Sequence, residues 1–287
     1  MIELLLGKPV SDYIDKKSIE DISFLKGNGI SPAIAILRVG NNPGDIFYEK
    51  AAIKKAEHLG IDYKNVVLPE YIEENELIDN IELLNMDDTI HGVLLLRPFP
   101  KKFNDELIRN TLKPEKDIDG ITDGSLNGIL TVVNRGFSPC TPRACMEIMK
   151  YYGYELKGKN VTIIGRSLVI GKPLALMMIN ADANVTVCHS KTKQEDLIKY
   201  CKNSDIVVLA TGKTESFTSK YINAGTVIID VGTGVGKSGN MAGDLDFEEL
   251  EVSGIENISV TPVPRGVGSV TTSVLMKNLL EAAKNPE

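Results

Sequence analysis

The sequence predicts an α/β protein of two domains, each built on a parallel sheet. Three observations predict it. Short apolar runs of strand type alternate with helix-type segments through residues 31–96, and again through 160–260. That alternation gives parallel strands joined by right-handed crossovers. A turn-rich stretch, 101–140, lies between the two series. The second series opens on an apolar strand that runs into glycine and then into a helix start, at 160–173.

The bulk numbers agree. A chain of 287 residues is too long for one small core and suits two α/β domains. Its net charge of −7 repels nucleic acid and anionic membranes, so an anionic ligand needs a local basic site. No apolar run approaches the ~20 residues that span a bilayer. Glu3 stands where a signal peptide carries base, and the apolar run after it is short. The expectation is a cytoplasmic protein with no nucleic-acid or membrane partner. Cys140, Cys145, Cys188 and Cys201 form no CxxC pair, and only His58, His91 and His189 are present. Reduced thiols and no metal site are expected.

In chain order, Ala33 to Gly40 has the pattern of a buried strand, followed by turn chemistry at Asn41-Asn42-Pro43-Gly44. A helix is predicted from about Asp45 to Leu59, stopped by Gly60. Asp62 to Leu68 reads as a strand, Glu73 to Met86 as a helix, and His91 to Leu96 as a buried strand ended by Arg97-Pro98-Phe99-Pro100. A helix from Arg143 to Tyr152 leads into the second half. There, strands are predicted at Asn160–Gly165, Asn184–Cys188, Ile206–Ala210, Thr226–Val231 and Ile258–Val260, with helices between, the first starting at Pro173. Ser269 to Lys284 reads as a terminal amphipathic helix.

The strand–glycine–helix stretch, Val161 to Pro173, carries the first functional signal. Glycine at such a turn lets backbone approach a phosphate, and the helix N-terminus offers free N–H groups with partial positive charge. The glycines here are Gly165 and Gly171, a Gly-x5-Gly spacing rather than GxGxxG. A tight strand-to-helix turn in any doubly wound sheet reads similarly. The end of the next strand narrows the choice. An NAD site carries an acid there for the ribose hydroxyls, whereas this chain reads Val187-Cys188-His189-Ser190-Lys191-Thr192. Arg166, Ser190 and Lys191 suit a 2′-phosphate, so NADP is favoured over NAD.

Several stretches, in order, resemble the methylenetetrahydrofolate dehydrogenase/cyclohydrolase family of FolD type. They are Val39-Gly40 with Asn42-Pro43, Tyr48 with Ala56-Glu57 and Leu59-Gly60-Ile61, Pro114 to Gly120, and Pro139-Cys140-Thr141-Pro142. They continue with Gly165-Arg166-Ser167, Gly171-Lys172-Pro173, Cys188 to Thr192, Ile229 to Gly232, Gly243-Asp244 and Thr261 to Pro264. The resemblance implies an N-terminal folate domain, 1–140 joined by the terminal helix at about 269–287, and a Rossmann-type NADP-binding domain, 141–268. A cleft between them and a homodimer are also implied. So are two activities: oxidation of 5,10-methylenetetrahydrofolate to the methenyl form, and hydrolysis of that form to 10-formyltetrahydrofolate. It makes Tyr48 the residue that stacks on the folate ring and Asp119 the carboxylate that binds the pterin edge through paired hydrogen bonds. Pro264, Arg265 and Gly268 fall on the substrate side, and Thr141, Gly165, Arg166, Ser167, Gly171, Ser190, Lys191, Gly232 and Thr233 on the cofactor side.

The chain departs from the family pattern at the implied chemistry. The family lysine four residues after the tyrosine is Ala52, the glutamine of the strand-end Gln-Leu-Pro is Leu96 followed by Arg97, and the serine before the tyrosine is Asp45. The Pro-Gly-Gly-Val-Gly-Pro loop reads Pro264-Arg265-Gly266-Val267-Gly268-Ser269, and Asp-Val-Gly-Ile-Asn reads Asp230 to Gly234. Hydrolysis of the methenyl cation needs an activated water and proton transfers, help typically worth ~10²–10⁴ in rate. Ala52 and Leu96 offer neither, so weak or lost cyclohydrolase is expected. Lys55 lies one turn beyond the missing amine, about 4.5 Å along the axis, and is the one residue placed to reach back. Hydride transfer asks mainly for alignment, so the dehydrogenase is expected to persist. Two alternatives stay open: an NADP enzyme acting on another anionic molecule through Arg97 and Arg265, and a nucleotide-binding paralogue without catalysis.

Overall fold

The computed structural model describes residues 1–133 and 135–284. The chain divides into two compact units, residues 12–140 with 272–287 and residues 1–11 with 141–271.

The chain opens with β1 (Ile2–Leu4) and α1 (Gly7–Gly27), neither of which the sequence reading marks. Within α1 the buried apolar residues Val10, Ile14, Ile22 and Leu25 recur at helical spacing among charged ones. β2 (Ala33–Val39) is buried along its whole length, as a central parallel strand must be. α2 (Pro43–Leu59) starts two residues earlier than predicted because Asn42 caps it, its side chain accepting from Gly44 N, with Pro43 in the first turn. Gly60, in the left-handed region, ends it. β3 (Asp62–Leu68), α3 (Glu74–Met86) and β4 (Gly92–Leu95) follow. The turn-rich stretch contains two short helices, α4 (Asp105–Thr111) and α5 (Asp123–Thr131), capped by Asn104 and Thr122.

The three strands of this unit are parallel in the order β3-β2-β4. A single bridge from Val93 to Asp117 carries the chain after α4 back alongside β4. Leu37, Leu77, Ile81, Val93, Leu95 and Ile108 form the centre of its core.

The other unit contains α6 (Cys140–Tyr151), β5 (Asn160–Ile164), α7 (Gly171–Asn180), β6 (Asn184–Cys188), α8 (Gln194–Lys202), β7 (Ile206–Leu209) and β8 (Val227–Asp230). After these come the small hairpin β9 (Gly234–Val235) and β10 (Met241–Ala242), then α9 (Phe247–Val252) and β11 (Ile258–Val260). The sheet runs β1-β11-β8-β7-β5-β6, every pair parallel. β1 pairs with β11, Ile2 opposite Ile258, so the first residues of the chain complete the edge of this sheet.

The last helix, α10 (Thr271–Lys284), packs with residues 12–140, where Lys284 pairs with Asp21 at 2.6 Å. It begins two residues later than predicted, because Val267–Ser269 forms a 3₁₀ turn. Residues 285–287, the end of the terminal segment assigned to the folate domain, lie outside the described residues.

Each of the two parallel sheets contains a switch point, where the first strand of a βαβαβ series has neighbours on both sides. These are β2 between β3 and β4, and β5 between β6 and β7. Ligands of open α/β sheets bind at the carboxyl ends of such strands; Tyr48 follows β2 in α2, and Gly165, Arg166 and Ser167 follow β5.

Candidate functional site

At the carboxyl end of β5 the backbone is shaped for close approach. Gly165 has φ 138°, and a Cβ on it would run into the Ala210 carbonyl. A Cβ on Gly171 would run into the Gly165 carbonyl, so only glycine lets the turn fold back onto the start of α7. Gly165 N donates to Cys188 O at 2.9 Å and Ala210 N to Ile164 O at 2.9 Å, tying the ends of β6 and β7 to this turn. Ser167 Oγ accepts from Ile170 N at 3.1 Å, and Arg166 stands exposed beside it.

The loop after β6 is a compact turn. His189 N donates to Thr192 Oγ1 at 3.0 Å and Lys191 N to His189 Nδ1 at 3.2 Å, which leaves Ser190 and Lys191 exposed at its tip. No acid occupies the end of β6. Gly232 is buried and Thr233 exposed just beyond β8, while Thr141 is half-buried at the start of α6.

Two buried acids that the sequence reading quoted without a role hold these loops. Asp230 accepts from Gly232 N (2.9 Å), Asp244 N (3.1 Å) and Leu245 N (2.9 Å). Burial, with the Asp244 charge adding to it, pushes its carboxyl up to about 6 against the pull of those amides. Asp244 in turn accepts from Thr211 N and Oγ1 at 2.6 and 2.8 Å. A full row of N–H donors is the only signal that could have found them, and it is not local in sequence.

Pro264 and Arg265 line a cavity of about 300 Å³ in this same unit, together with Asp230, Gly243, Thr261 and Val263. Arg265 sits at φ 83°, a left-handed conformation costly for a side-chain-bearing residue. Its carbonyl accepts from Gly7 N at 2.8 Å, and its side chain is exposed. Gly268 is exposed in the 3₁₀ turn that follows.

In the other unit, Tyr48 is half-buried on α2, just past the carboxyl end of β2. Asp45, Glu49, Ala52 and Ala56 form the buried stripe of this helix, and Ala52 is wholly enclosed. Arg38 Nε meets Glu49 at 2.7 Å, and its Nη1 donates to the Gly40 carbonyl and to Asn41 Oδ1, which locks the turn from β2 into α2. Burial raises the Asp45 carboxyl, opposed by the nearby Arg38 charge.

Two expectations are corrected here. Lys55 does not reach back toward position 52: its amine donates to Asp15 Oδ2 at 2.6 Å, an ion pair mostly shielded from solvent. Arg97 is not a free anion receptor. Its guanidinium binds the Asp105 carboxylate through two nitrogens, Nε at 2.9 Å and Nη2. Leu96 is buried.

The paired acids after α4 have separate jobs. Asp117, wholly buried, spends its carboxylate on Ile121 N (3.0 Å), Thr122 N (2.7 Å) and Ser125 Oγ (2.7 Å). Asp119 remains partly exposed. Desolvation pushes its carboxyl up to about 7, aided by Asp117 and opposed by a hydrogen bond from Cys140 and the charge of Arg97. A carboxyl balanced near neutrality can accept from a paired donor edge once ionised. Among the described residues, no group of three or more His, Cys, Asp or Glu side chains gathers to hold a metal, and no helix is long and apolar enough to cross a membrane.

The glycine turn at the β5 switch point, with basic side chains after β6, defines a dinucleotide-binding α/β protein. Comparison with known proteins agrees. Residues 5–119 match the family described as tetrahydrofolate dehydrogenase/cyclohydrolase, catalytic domain, and residues 139–287 match its NAD(P)-binding domain. The bifunctional protein FolD of Alkaliphilus metalliredigens is 42% identical over 285 residues, 99% of this chain and 98% of its own. The structure of the bifunctional FolD enzyme from Campylobacter jejuni superposes with a TM-score of 0.94 at 38% identity, covering 100% of both chains. The Trypanosoma brucei FolD structure, complexed with NADP cofactor and inhibitor, gives 0.90 at 30% identity, covering 99% of this chain and 97% of its own. This chain belongs to the tetrahydrofolate dehydrogenase/cyclohydrolase family.

Proposed function

We propose that this protein oxidises 5,10-methylenetetrahydrofolate to the 5,10-methenyl form with NADP, and that its cyclohydrolase activity is weak or lost. The observation that carries the second half is the packing at position 52. Ala52 is wholly enclosed, Leu96 is buried, and Lys55 is engaged by Asp15. No amine or amide therefore stands on these positions to activate a water or move a proton.

The residues for the first half are present. Gly165, Arg166, Ser167 and Gly171 would cradle the diphosphate with the α7 N-terminus, and Ser190 and Lys191 would hold a 2′-phosphate. Thr141, Gly232 and Thr233 would border the rest of the dinucleotide. The fit rests on the close backbone approach at Gly165 and Gly171 and on the exposed cationic tip after β6. NADP, when bound, supplies the hydride acceptor. Tyr48 would stack on the folate ring and ionised Asp119 would accept from the pterin edge. Pro264, Arg265 and Gly268 would border the substrate. The Arg97–Asp105 ion pair speaks against a different, more anionic substrate, because that charge is already neutralised within the chain.

The test is spectrophotometric. Pure protein with methylenetetrahydrofolate should reduce NADP, and reduce NAD far less well. NADP binding without turnover of any folate would overturn the proposal in favour of a nucleotide-binding paralogue. The protein is also proposed to form a homodimer. β3 is an edge strand with Tyr63 and Val67 exposed, an unpaired ladder that a second copy would cover. Sedimentation giving a monomer at micromolar concentration would contradict this.

A further inference from the structure

The backbone that carries Asp119 is held from behind by one residue of the last helix. Asn278 of α10 is wholly buried, and its Nδ2 lies 2.7 Å from Ile118 O, 3.2 Å from Ser138 O and 3.7 Å from Cys140 Sγ. An amide nitrogen has two hydrogens. The two short contacts use them, and they join the segment 118–120 to the segment 137–140. These segments are pressed together: Gly120 has φ 67°, and a Cβ there would stand 2.5 Å from Phe137 O and Pro139 N.

The thiol of Cys140 is the third member. It is buried, 3.5 Å from Ile118 O, and it also bonds the Asp119 carboxylate. Ile118 O has two lone pairs and accepts from both Asn278 and the thiol, so Asn278 holds this carbonyl, and the turn that carries Asp119, beside the Cys140 thiol. The charged groups that bear on Asp119 are Asp117, which opposes its ionisation, and Arg97, which favours it. Neither is altered by Asn278.

We propose that Asn278 is a positioning residue for Asp119: by clamping Ile118 O and Ser138 O it fixes the carboxylate-bearing turn against the segment that carries the Cys140 thiol. The inference rests on the reading of Asp119 as the substrate-binding carboxylate.

The experiment compares wild type with Asn278→Leu, Cys140→Ala and Cys140→Ser. Steady-state NADP reduction gives the KM for each substrate across the range around neutrality, and difference infrared titration of the free protein follows the Asp119 carboxyl directly. Asn278→Leu should raise the KM for methylenetetrahydrofolate about tenfold or more and leave that for NADP nearly unchanged, as a misplaced binding group does. The acid limb of kcat/KM should move to higher pH, because the unclamped turn carries the Asp119 carboxylate away from its Cys140 donor. Cys140→Ala should move the limb the same way, and Cys140→Ser, which restores a donor, should not. A folded Asn278→Leu protein with unchanged folate KM and acid limb would overturn the proposal. So would a parallel rise in both KM values, which marks a merely structural role. If Asn278→Leu does not fold, matching limbs in Cys140→Ala and Cys140→Ser overturn it, and the predicted difference supports it. Should wild type turn over no folate, the functional reading fails separately. The carboxyl titration then still decides: a shift in the variants supports the clamp, and an unmoved carboxyl refutes it.

Discussion

The Asp119 carboxyl gives the most quantitative prediction. Its folded-state value is pushed from 3.8 up to about 7, so at pH 6 most molecules carry it protonated. A pterin edge presents donors and needs the ionised form. Binding must then expel a proton, and the affinity falls by a factor of 1 + 10^(pKa − pH), about elevenfold at pH 6 and about 1.1-fold at pH 8. Asp119→Asn removes both the charge and one acceptor. Losing one charge-assisted hydrogen bond at about 1.5–3 kcal/mol, and about half of the other with its charge, predicts binding weaker by roughly 10²–10³ at pH 8. The sign for stability is opposite. A carboxyl whose folded value is raised stabilises the fold relatively at low pH, and that contribution is lost as pH rises through about 7. Asp119→Asn should therefore leave the stability unchanged near pH 4 and increase it at pH 8 by on the order of 1–3 kcal/mol after allowance for partial exposure, read as a higher melting temperature at pH 8 only. Isothermal titration with a folate at pH 6, 7 and 8, in buffers of different ionisation enthalpy, measures affinity and proton release together. A wild-type affinity flat across that range, with no proton released at pH 6, would show that Asp119 is not the carboxylate that binds the folate.

Other sites give further expectations. Lys191→Ala should weaken NADP about tenfold or more and leave NAD unchanged, since one charge-assisted bond to a 2′-phosphate is removed; equal loss for both cofactors would place Lys191 elsewhere. Arg265→Gly should stabilise by about 1 kcal/mol by releasing the left-handed backbone, seen as a rise of about 2–4 °C in melting temperature. Ala52→Lys should destabilise by about 1–3 kcal/mol, because the site is fully enclosed; a melting curve identical to wild type would mean that the pocket opens at no cost.

The strands and most helices were legible because burial on both faces leaves continuous apolar runs, as in Ala33–Val39, and because caps such as Asn42 and Gly60 are local. α1 was harder. Its apolar stripe of Val10, Ile14, Ile22 and Leu25 is diluted by charged residues, and Pro9 reads as a breaker although it sits in the first turn. β1 could not be read at all: three residues become a strand only because β11 lies beside them, more than 250 residues later. The site divides the same way. The glycine turn at Gly165 and the missing acid after β6 were local signals. The partners of Lys55 and Arg97 were not, since Asp15 lies 40 residues from its lysine and the Arg97 pair needs the turn into α4 to bring Asp105 round. Asn278, 160 residues from the carbonyl it holds, is the extreme case.

Oxidation kept and most of the hydrolysis lost is the proposed difference between this chain and its bifunctional relatives. The most direct measurement follows both products in one cuvette, starting from methylenetetrahydrofolate and NADP with catalytic protein. The expected result is NADPH formation with methenyltetrahydrofolate accumulating beside it, decaying no faster than in buffer alone. NADPH formation with no methenyl build-up, and accelerated decay of added methenyltetrahydrofolate, would contradict it.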